Sequence, residues 1–239
     1  MNWQDFDAVL FDLDGVLTPT AEVHMQAWRQ LFVDYLTTKG VVDQPYVDSD
    51  YFDHIDGKPR YDGVRSMLAS RGLTLADGDP DDPPDAETVC GLGNRKNAFF
   101  SAVLHDDGVE PYPGSVALLD HLDRLGTKVA VVSSSKNAPA VLDAAGLADR
   151  FEVVVDGAVA TDEGLAGKPS PATYVAAAAK LGVPVARSVV VEDAVSGVAA
   201  GHAGHFGLVV GVDRGVGRDR LTEAGADVVV DDLAELVTP

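Results

Sequence analysis

Six short apolar runs punctuate the chain at Ala8–Phe11, Lys128–Val132, Glu152–Val155, Ser188–Val191, Phe206–Val210 and Asp227–Val230. Several are apolar at every position, as in Val189-Val190-Val191. A strand with one wet face alternates, whereas a strand covered on both faces does not. The runs therefore predict a parallel sheet buried between two layers. Between them, Ser115–Arg124, Ala138–Ala145, Pro171–Leu181 and Ser196–His202 read as helices. Gly126, Gly146, Gly182 and Gly204 stand where helix C-caps belong. Strand and helix in alternation predict an α/β fold with right-handed crossovers.

The alternation breaks once. From about Ala21 to Leu104 no valine-rich strand occurs, and Ala21–Leu36, Tyr61–Arg71 and Arg95–Leu104 carry helical periodicity. The segment Asp77–Pro84 is a Pro/Asp-rich surface loop, and Val109–Gly114 is a Pro/Gly linker. The pattern predicts a helical domain inserted after the first strand. Its expected division is a core of residues 1–18 and 109–239 and an inserted domain of residues 19–108.

Composition narrows the function. At about 150 residues per domain, 239 residues make one large domain or two small ones. With 46% hydrophobic and 23% charged residues the chain is globular rather than disordered. Its 38 Asp and Glu against 18 Lys and Arg give a net charge of −20, so its field draws it to neither nucleic acid nor an anionic membrane face. No apolar run approaches the roughly 18–20 residues that cross a bilayer. The first residues are polar and acidic, unlike a secretory leader, so the cytoplasm is the expected location and a monomer the expected state. Cys90, the single cysteine, excludes an intramolecular disulfide and a cysteine-based zinc cage.

In open parallel sheets ligands bind beyond the carboxyl ends of the strands. The first strand is followed by Asp12, Asp14, Gly15 and Thr18, and the second by Ser133, Ser134, Ser135, Lys136 and Asn137. The third leads on to Lys168-Pro169, and the fourth to Glu192 and Asp193. Carboxylates gathered at one spot repel one another unless a cation intervenes. An oxygen-only ligand set suits a hard ion such as Mg²⁺, which takes one or two carboxylates together with a substrate phosphate. Ser133 and Lys168 then have an anionic phosphoryl group as their natural partner. An aspartate after a strand is by itself often only a helix cap, so the specificity lies in four motifs, in order, each beyond its own strand.

The set Phe11-Asp12-Leu13-Asp14-Gly15-Val16-Leu17-Thr18, Ser133, Lys168-Pro169 and Glu192-Asp193 resembles the four motifs of the haloacid dehalogenase superfamily. Asp12–Trp28, Ser133–Asn137, Gly167–Pro171 and Val191–Gly201 resemble its β-phosphoglucomutase-like branch, and the likeness spans nearly the whole chain. It implies a Rossmann-like core with helices on both faces and a helical cap. It also implies Asp12 as the nucleophile that forms an aspartyl phosphate, and Asp14 as the general acid/base. The Asp12 carboxylate, the Asp14 carbonyl, Glu192 and Asp193 would serve Mg²⁺, and Ser133 and Lys168 the phosphoryl group. The second aspartate disfavours dehalogenation, since displacing halide needs neither a proton donor nor a metal.

Two enzymes share that first set of residues. A phosphatase admits water to the aspartyl phosphate, while a mutase excludes it and holds a second phosphate elsewhere. In so acidic a chain the second site has to be locally basic. The resemblance implies Arg60, in Gly57-Lys58-Pro59-Arg60, for the distal phosphate, with Ser135, Lys136 and Asn137 as its core partners and Lys96 as a further cap lysine. Thr20 and His24 match the branch as residues that couple cap closure to Asp14. His24 and Trp28 share a helix face, and Trp28 is read as packing. Pro19 departs from the branch, which has an acidic residue there, and the Asp77–Pro84 loop lengthens the cap. The expected substrate is a small sugar phosphate, either interconverted as β-glucose 1-phosphate and glucose 6-phosphate or hydrolysed. A phospho-accepting signalling module is the remaining class, and it needs neither the insertion nor Asp14. Arg214, in the Gly/Arg loop after the fifth strand, stays outside the candidate set.

Overall fold

The computed structural model describes residues 2–237. The chain forms two compact units, residues 1–19 with 109–239 and residues 20–108, so Pro19 goes with the first unit.

The first unit is built on six parallel strands: β1 (Ala8–Phe11), β2 (Lys128–Val132), β3 (Val153–Val155), β4 (Ser188–Glu192), β5 (Leu208–Val212) and β6 (Val228–Val230). They lie in the order β3-β2-β1-β4-β5-β6. β1 sits between β2 and β4, with Phe11 opposite both Val131 and Val191. Every residue of β1 and β4 is buried, which is why β1 and the centre of β4, Val189–Val191, are continuously apolar, while the short outer strands β3 and β6 are only part-buried. The order reverses between β1 and β4, and this is where such sheets open a crevice.

The register of β5 differs from the expected Phe206–Val210. Phe206 does not begin the strand. His205 turns the chain at φ 53, and the Phe206 ring packs edge-on to Tyr174 at 6.0 Å. The strand instead runs on through Gly211 and Val212, paired with Glu192 and Val230. Gly204 does end a helix, but at φ −80. A Cβ there would lie 2.6 Å from the Phe206 ring, so its role is close packing rather than a left-handed cap. Gly126 and Gly182 do adopt the left-handed conformation.

In the second unit, α1 (Thr20–Thr38), α2 (Arg60–Ser70) and α3 (Val89–Asp107) surround a core that includes Trp28, Phe32, Leu36, Met67 and Leu92. A π-helical turn, Tyr51–Ile55, precedes α2. α3 begins six residues before the expected Arg95. Its Thr88 hydroxyl caps Gly91 N–H at 2.9 Å. Gly91 and Gly93 make the stretch read as loop, yet both are needed for contact. A Cβ at Gly91 would lie 2.3 Å from the Ala86 carbonyl oxygen, and one at Gly93 2.8 Å from the Tyr61 ring.

The remaining helices of the first unit are α4 (Pro113–Leu125), α5 (Ala138–Ala144), α6 (Gly157–Asp162), α7 (Ala172–Leu181), α8 (Val195–Ala203) and α9 (Arg218–Glu223). α6 and α9 have six residues each and carry too few turns to be read from periodicity. Among the described residues no helix is long and apolar enough to cross a membrane.

Candidate active site

The backbone beyond β1 still follows the sheet, with Asp12 N–H donating to the Val191 carbonyl at 2.9 Å. The chain then closes into a tight loop, in which Gly15 N–H donates to the Thr18 carbonyl at 2.8 Å and Thr18 N–H to the Leu13 carbonyl at 3.1 Å. Asp12 is thus fixed at the centre of the sheet, at the switch point, and Asp14 is half-buried on the loop above it.

Lys168 reaches this point from the loop after α6. Its ammonium donates to Asp12 Oδ1 and Glu192 Oε1, each at 2.5 Å, and to the Val132 carbonyl at 3.2 Å. It also lies 5.1 Å from the centre of the Tyr174 ring. Burial disfavours its charge, but Asp12 and Glu192 more than offset that and raise its pKa above the ordinary lysine value.

Glu192, fully buried, ends β4. Oε1 accepts from Lys168 and from the Tyr174 hydroxyl at 2.9 Å, and Oε2 accepts from Asp193 N–H and Ala194 N–H at 3.0 Å each. These four contacts use the carboxylate's four acceptor positions. Its seat at the start of α8 requires a glycine, because a Cβ at Gly197 would fall 1.7 Å from Oε1. Asp193 is buried beside Gly15.

Asp12, Glu192 and Asp193 each offer a carboxylate oxygen, and these oxygens lie within 4.8 Å of one another. Burial pushes the Asp12 carboxyl well above the usual carboxylate range. Lys168 pulls it down, while the charges of Glu192 and Asp14 push it further up. One ammonium does not balance so many acids in a dry site. The oxygen-only donor set and its surplus negative charge fit a hard divalent cation, held by Asp12 and Asp193. Glu192 fits as a further ligand if Lys168 gives up its contact.

The loop after β2 is ordered by its own hydroxyls. Ser133 N–H donates to the Val155 carbonyl at 3.0 Å, Ser133 Oγ accepts from Ser135 N–H at 3.1 Å, and Ser135 Oγ accepts from Asn137 N–H at 3.1 Å. Ser133 is buried, Ser134 and Asn137 are half-buried, and Lys136 is exposed. A Cβ at Gly157 would lie 2.7 Å from the Ser134 carbonyl oxygen, so β3's following turn abuts this loop.

The second unit holds the other candidates. Arg60 Nη2 donates to Asn97 Oδ1 at 2.7 Å and Nη1 to Asn94 Oδ1 at 3.4 Å. Burial lowers its pKa, with Tyr61 working in the opposite direction. Both amides are neutral, so they orient the guanidinium and leave its charge to be met by an anion. Lys58, after Gly57 at φ 69, donates to the His54 carbonyl at 2.8 Å and the Ser66 hydroxyl at 2.9 Å, within its own unit. Lys96 is buried, contacts His24 Nδ1, and lies 5.2 Å from the centre of the Trp28 ring. The His24 ring stacks on Phe100 at 4.1 Å, and Trp28 stacks on Phe32 at 5.6 Å as packing. Thr20 is buried at the first position of α1.

Sequence reasoning missed Tyr174, Asn94 and Asn97. A tyrosine in an alanine-rich helix and two asparagines inside another helix carry no local signal. Their only mark is being polar on otherwise apolar or charged faces.

A family model described as haloacid dehalogenase-like hydrolase matches residues 6–205. The chain is 49% identical over 240 residues to a β-phosphoglucomutase of Mycobacterium bovis, covering 96% of this chain and 91% of that protein. It is 34% identical over 231 residues to the β-phosphoglucomutase of Bacillus subtilis, again covering 96% and 91%. Among solved structures, CbbY of Rhodobacter sphaeroides in complex with phosphate superposes with a TM-score of 0.73 at 25% identity, covering 97% of this chain and 96% of that one.

Proposed function

Because the chain belongs to the haloacid dehalogenase-like hydrolase family, we propose that it is a Mg²⁺-dependent β-phosphoglucomutase that interconverts β-glucose 1-phosphate and glucose 6-phosphate through a bisphosphate. The observation that carries phosphoryl transfer is Asp12 at the switch point, with Lys168 at 2.5 Å and two further buried carboxylates around it. The 49% identity to a β-phosphoglucomutase over nearly the full length of both chains supports the choice of reaction.

In this reading an Asp12 oxygen attacks the phosphorus in line and forms an aspartyl phosphate. Asp14 protonates the departing sugar oxygen, and later takes the proton from the hydroxyl that receives the phosphoryl group back. Bound Mg²⁺ supplies positive charge to the acids and to the phosphoryl oxygens. Lys168, which pairs with both Asp12 and Glu192, shifts part of its charge onto the incoming phosphoryl group. Ser133, and the loop Ser134–Asn137 that its hydroxyl orders, donate to phosphoryl oxygens. Arg60, oriented by Asn97 and Asn94, supplies the cation for the sugar's other phosphate, with Lys96, His24 and Thr20 as sugar-facing candidates. A phosphatase acting on a sugar monophosphate has no second phosphate for Arg60 to hold.

Incubation with β-glucose 1-phosphate, Mg²⁺ and a trace of β-glucose 1,6-bisphosphate, followed by ³¹P NMR, tests the proposal. Glucose 6-phosphate is the expected product. Release of inorganic phosphate without isomerisation would overturn it. The low charge density of basic groups, 18 in the whole chain, fits a small anionic substrate better than a polyanion, and the proposed setting is the cytoplasm.

A further inference from the structure

Three successive carbonyls of the loop that carries Asp14 are each held from outside the loop. Leu17 accepts from Tyr112 N–H at 3.0 Å, Val16 from the Ser115 hydroxyl at 2.6 Å, and Gly15 from Arg214 Nε–H at 2.8 Å. The first two donors sit side by side at the start of α4. The third comes from the loop after β5, 199 positions away in sequence. It is also the one that grips Gly15, the residue next to Asp14.

Arg214 is held at Nε, at Nη1 and across its face, while its buried Nη2 has no hydrogen-bond partner among the described residues. Its Nη1 donates to the Asp231 carbonyl at 3.0 Å, and its guanidinium carbon lies 3.9 Å from the centre of the Tyr112 ring. At that distance the plane packs against the aromatic face. The same Tyr112 holds Leu17 through its backbone, so ring, guanidinium and loop form one closed unit. A neutral hydroxyl or a water would satisfy a lone carbonyl such as that of Gly15. A stacked, forked guanidinium adds what neither can supply, which is a fixed direction.

The peptide it fixes is critical. Gly15 has φ +80, and a Cβ there would fall 1.8 Å from Asp193 Oδ2. The Gly15 backbone is thus pressed against Asp193, while on its other side it continues directly into Asp14. We propose that Arg214 is a positioning residue of this enzyme. It clamps the Gly15–Val16 peptide, one residue beyond Asp14, and so fixes Gly15 such that the Asp14 carbonyl and carboxylate stand in register with Asp12 and Asp193. The inference rests on the reading of Asp14 and the acid cluster given above.

The test compares Arg214→Met and Arg214→Lys with Arg218→Met. Arg218 serves as the control because it is exposed and anchors the same region, through an ion pair with Asp231 at 2.7 Å, without reaching Gly15. Mn²⁺ binding is measured by electron paramagnetic resonance without substrate, alongside kcat, KM and thermal melting. Loss of a group that orients metal ligands typically costs about 10–100-fold, so Arg214→Met is expected to weaken Mn²⁺ binding and lower kcat by that order. KM for β-glucose 1-phosphate should stay within about twofold, because the substrate's own contacts are intact. Arg214→Lys keeps the charge but lacks the planar fork, so it should remain impaired in both; it carries the comparison if the methionine variant does not fold.

Wild-type Mn²⁺ binding and kcat in Arg214→Met would overturn the proposal. So would equal losses in Arg218→Met, or full recovery in Arg214→Lys. If the wild type isomerises no hexose phosphate, the assigned reaction fails, and the Mn²⁺ comparison still judges Arg214.

Discussion

Gly15 and Asp193 share a space that only one side chain can fill: a Cβ on Gly15 would stand 1.8 Å from Asp193 Oδ2. The contact joins the loop after β1 to the end of β4, across the point where the strand order reverses. Gly15→Ala would force one of the two to move. It also places a side chain at φ +80, a conformation that costs roughly 1–2 kcal/mol for an L-residue. The expected result is a fall in kcat of about 10²-fold, with Mg²⁺ activation moved to higher concentration. A titration of activity against Mg²⁺ checks both, and an unchanged midpoint would mean that Asp193 does not depend on Gly15.

Asp12→Asn should reduce turnover below about a ten-thousandth of wild type, because an amide is no acceptor for the phosphoryl group. Lys168 keeps Glu192 at 2.5 Å and the Val132 carbonyl at 3.2 Å, so the ammonium stays paired and the variant should fold. Acid-quenched samples of wild type should contain acid-stable, base-labile phosphate on the protein, and samples of the variant none. Near-wild-type activity would remove Asp12 from the role assigned to it.

What could be read from sequence, and what could not, follows from how local each determinant is. β1 and β2 have the expected bounds because continuous apolar runs end at sharply polar residues, Asp12 and Ser133. A parallel sheet then forces those strand ends to one edge, which is why Asp12, Lys168, Glu192 and Asp193 could be grouped before any coordinates. β5 slipped by two residues because Phe206 is apolar for the sake of Tyr174, not of the sheet. The start of α3 was hidden by Gly91 and Gly93, whose missing side chains answer to Ala86 and Tyr61. Tyr174 meets Glu192, Asn94 and Asn97 meet Arg60, and Arg214 meets Gly15 across 18 or more positions, and spacing carries no trace of such contacts.

The acid cluster should make Mg²⁺ stabilisation depend on pH. Burial raises the Asp12 carboxyl above the usual carboxylate range. In the metal-free protein its contribution is therefore fully present below the unfolded value of about 3.9, and is lost as pH rises through the raised folded value. Metal binding needs the ionised form, so the cation restores stability on the alkaline side and competes with the proton on the acid side. With free Mg²⁺ at 100 times its dissociation constant the gain is about 2.7 kcal/mol. Melting curves with and without Mg²⁺ should separate more widely at alkaline than at acidic pH. Equal separation at both would mean that no buried carboxyl must ionise for the metal.

Arg60→Ala should damage isomerisation more than hydrolysis. Its guanidinium is oriented by two amides, so an anion gripped by it would lose charge-assisted hydrogen bonds worth about 1.5–3 kcal/mol, or roughly 10–100-fold in kcat/KM. Hydrolysis of the aspartyl phosphate uses only the groups around Asp12 and should fall little. Measuring both rates on β-glucose 1-phosphate separates the two. Equal losses would place Arg60 in the structure of its unit rather than on a second phosphate.

Tyr174→Phe isolates the support beneath the acids. The phenol is fully buried, and burial, with the Glu192 charge added to it, raises its pKa, so it remains a donor throughout the working range. It gives its proton to Glu192 Oε1 at 2.9 Å, the oxygen that also accepts from Lys168. Removing the hydroxyl keeps the ring under the Lys168 ammonium but leaves one acceptor position of a buried carboxylate unfilled. The expected cost is about 1.5–3 kcal/mol, as for hydrogen bonds to charged groups. At about 2–4 °C per kcal/mol for a protein of this size, that lowers the melting temperature by roughly 3–12 °C. Bound Mg²⁺ should recover part of the loss if Glu192 then turns towards the cation, so the deficit should be smaller in the metal-loaded protein. The same deficit with and without metal would mean that Glu192 keeps its present contacts and stands behind the ligands rather than among them.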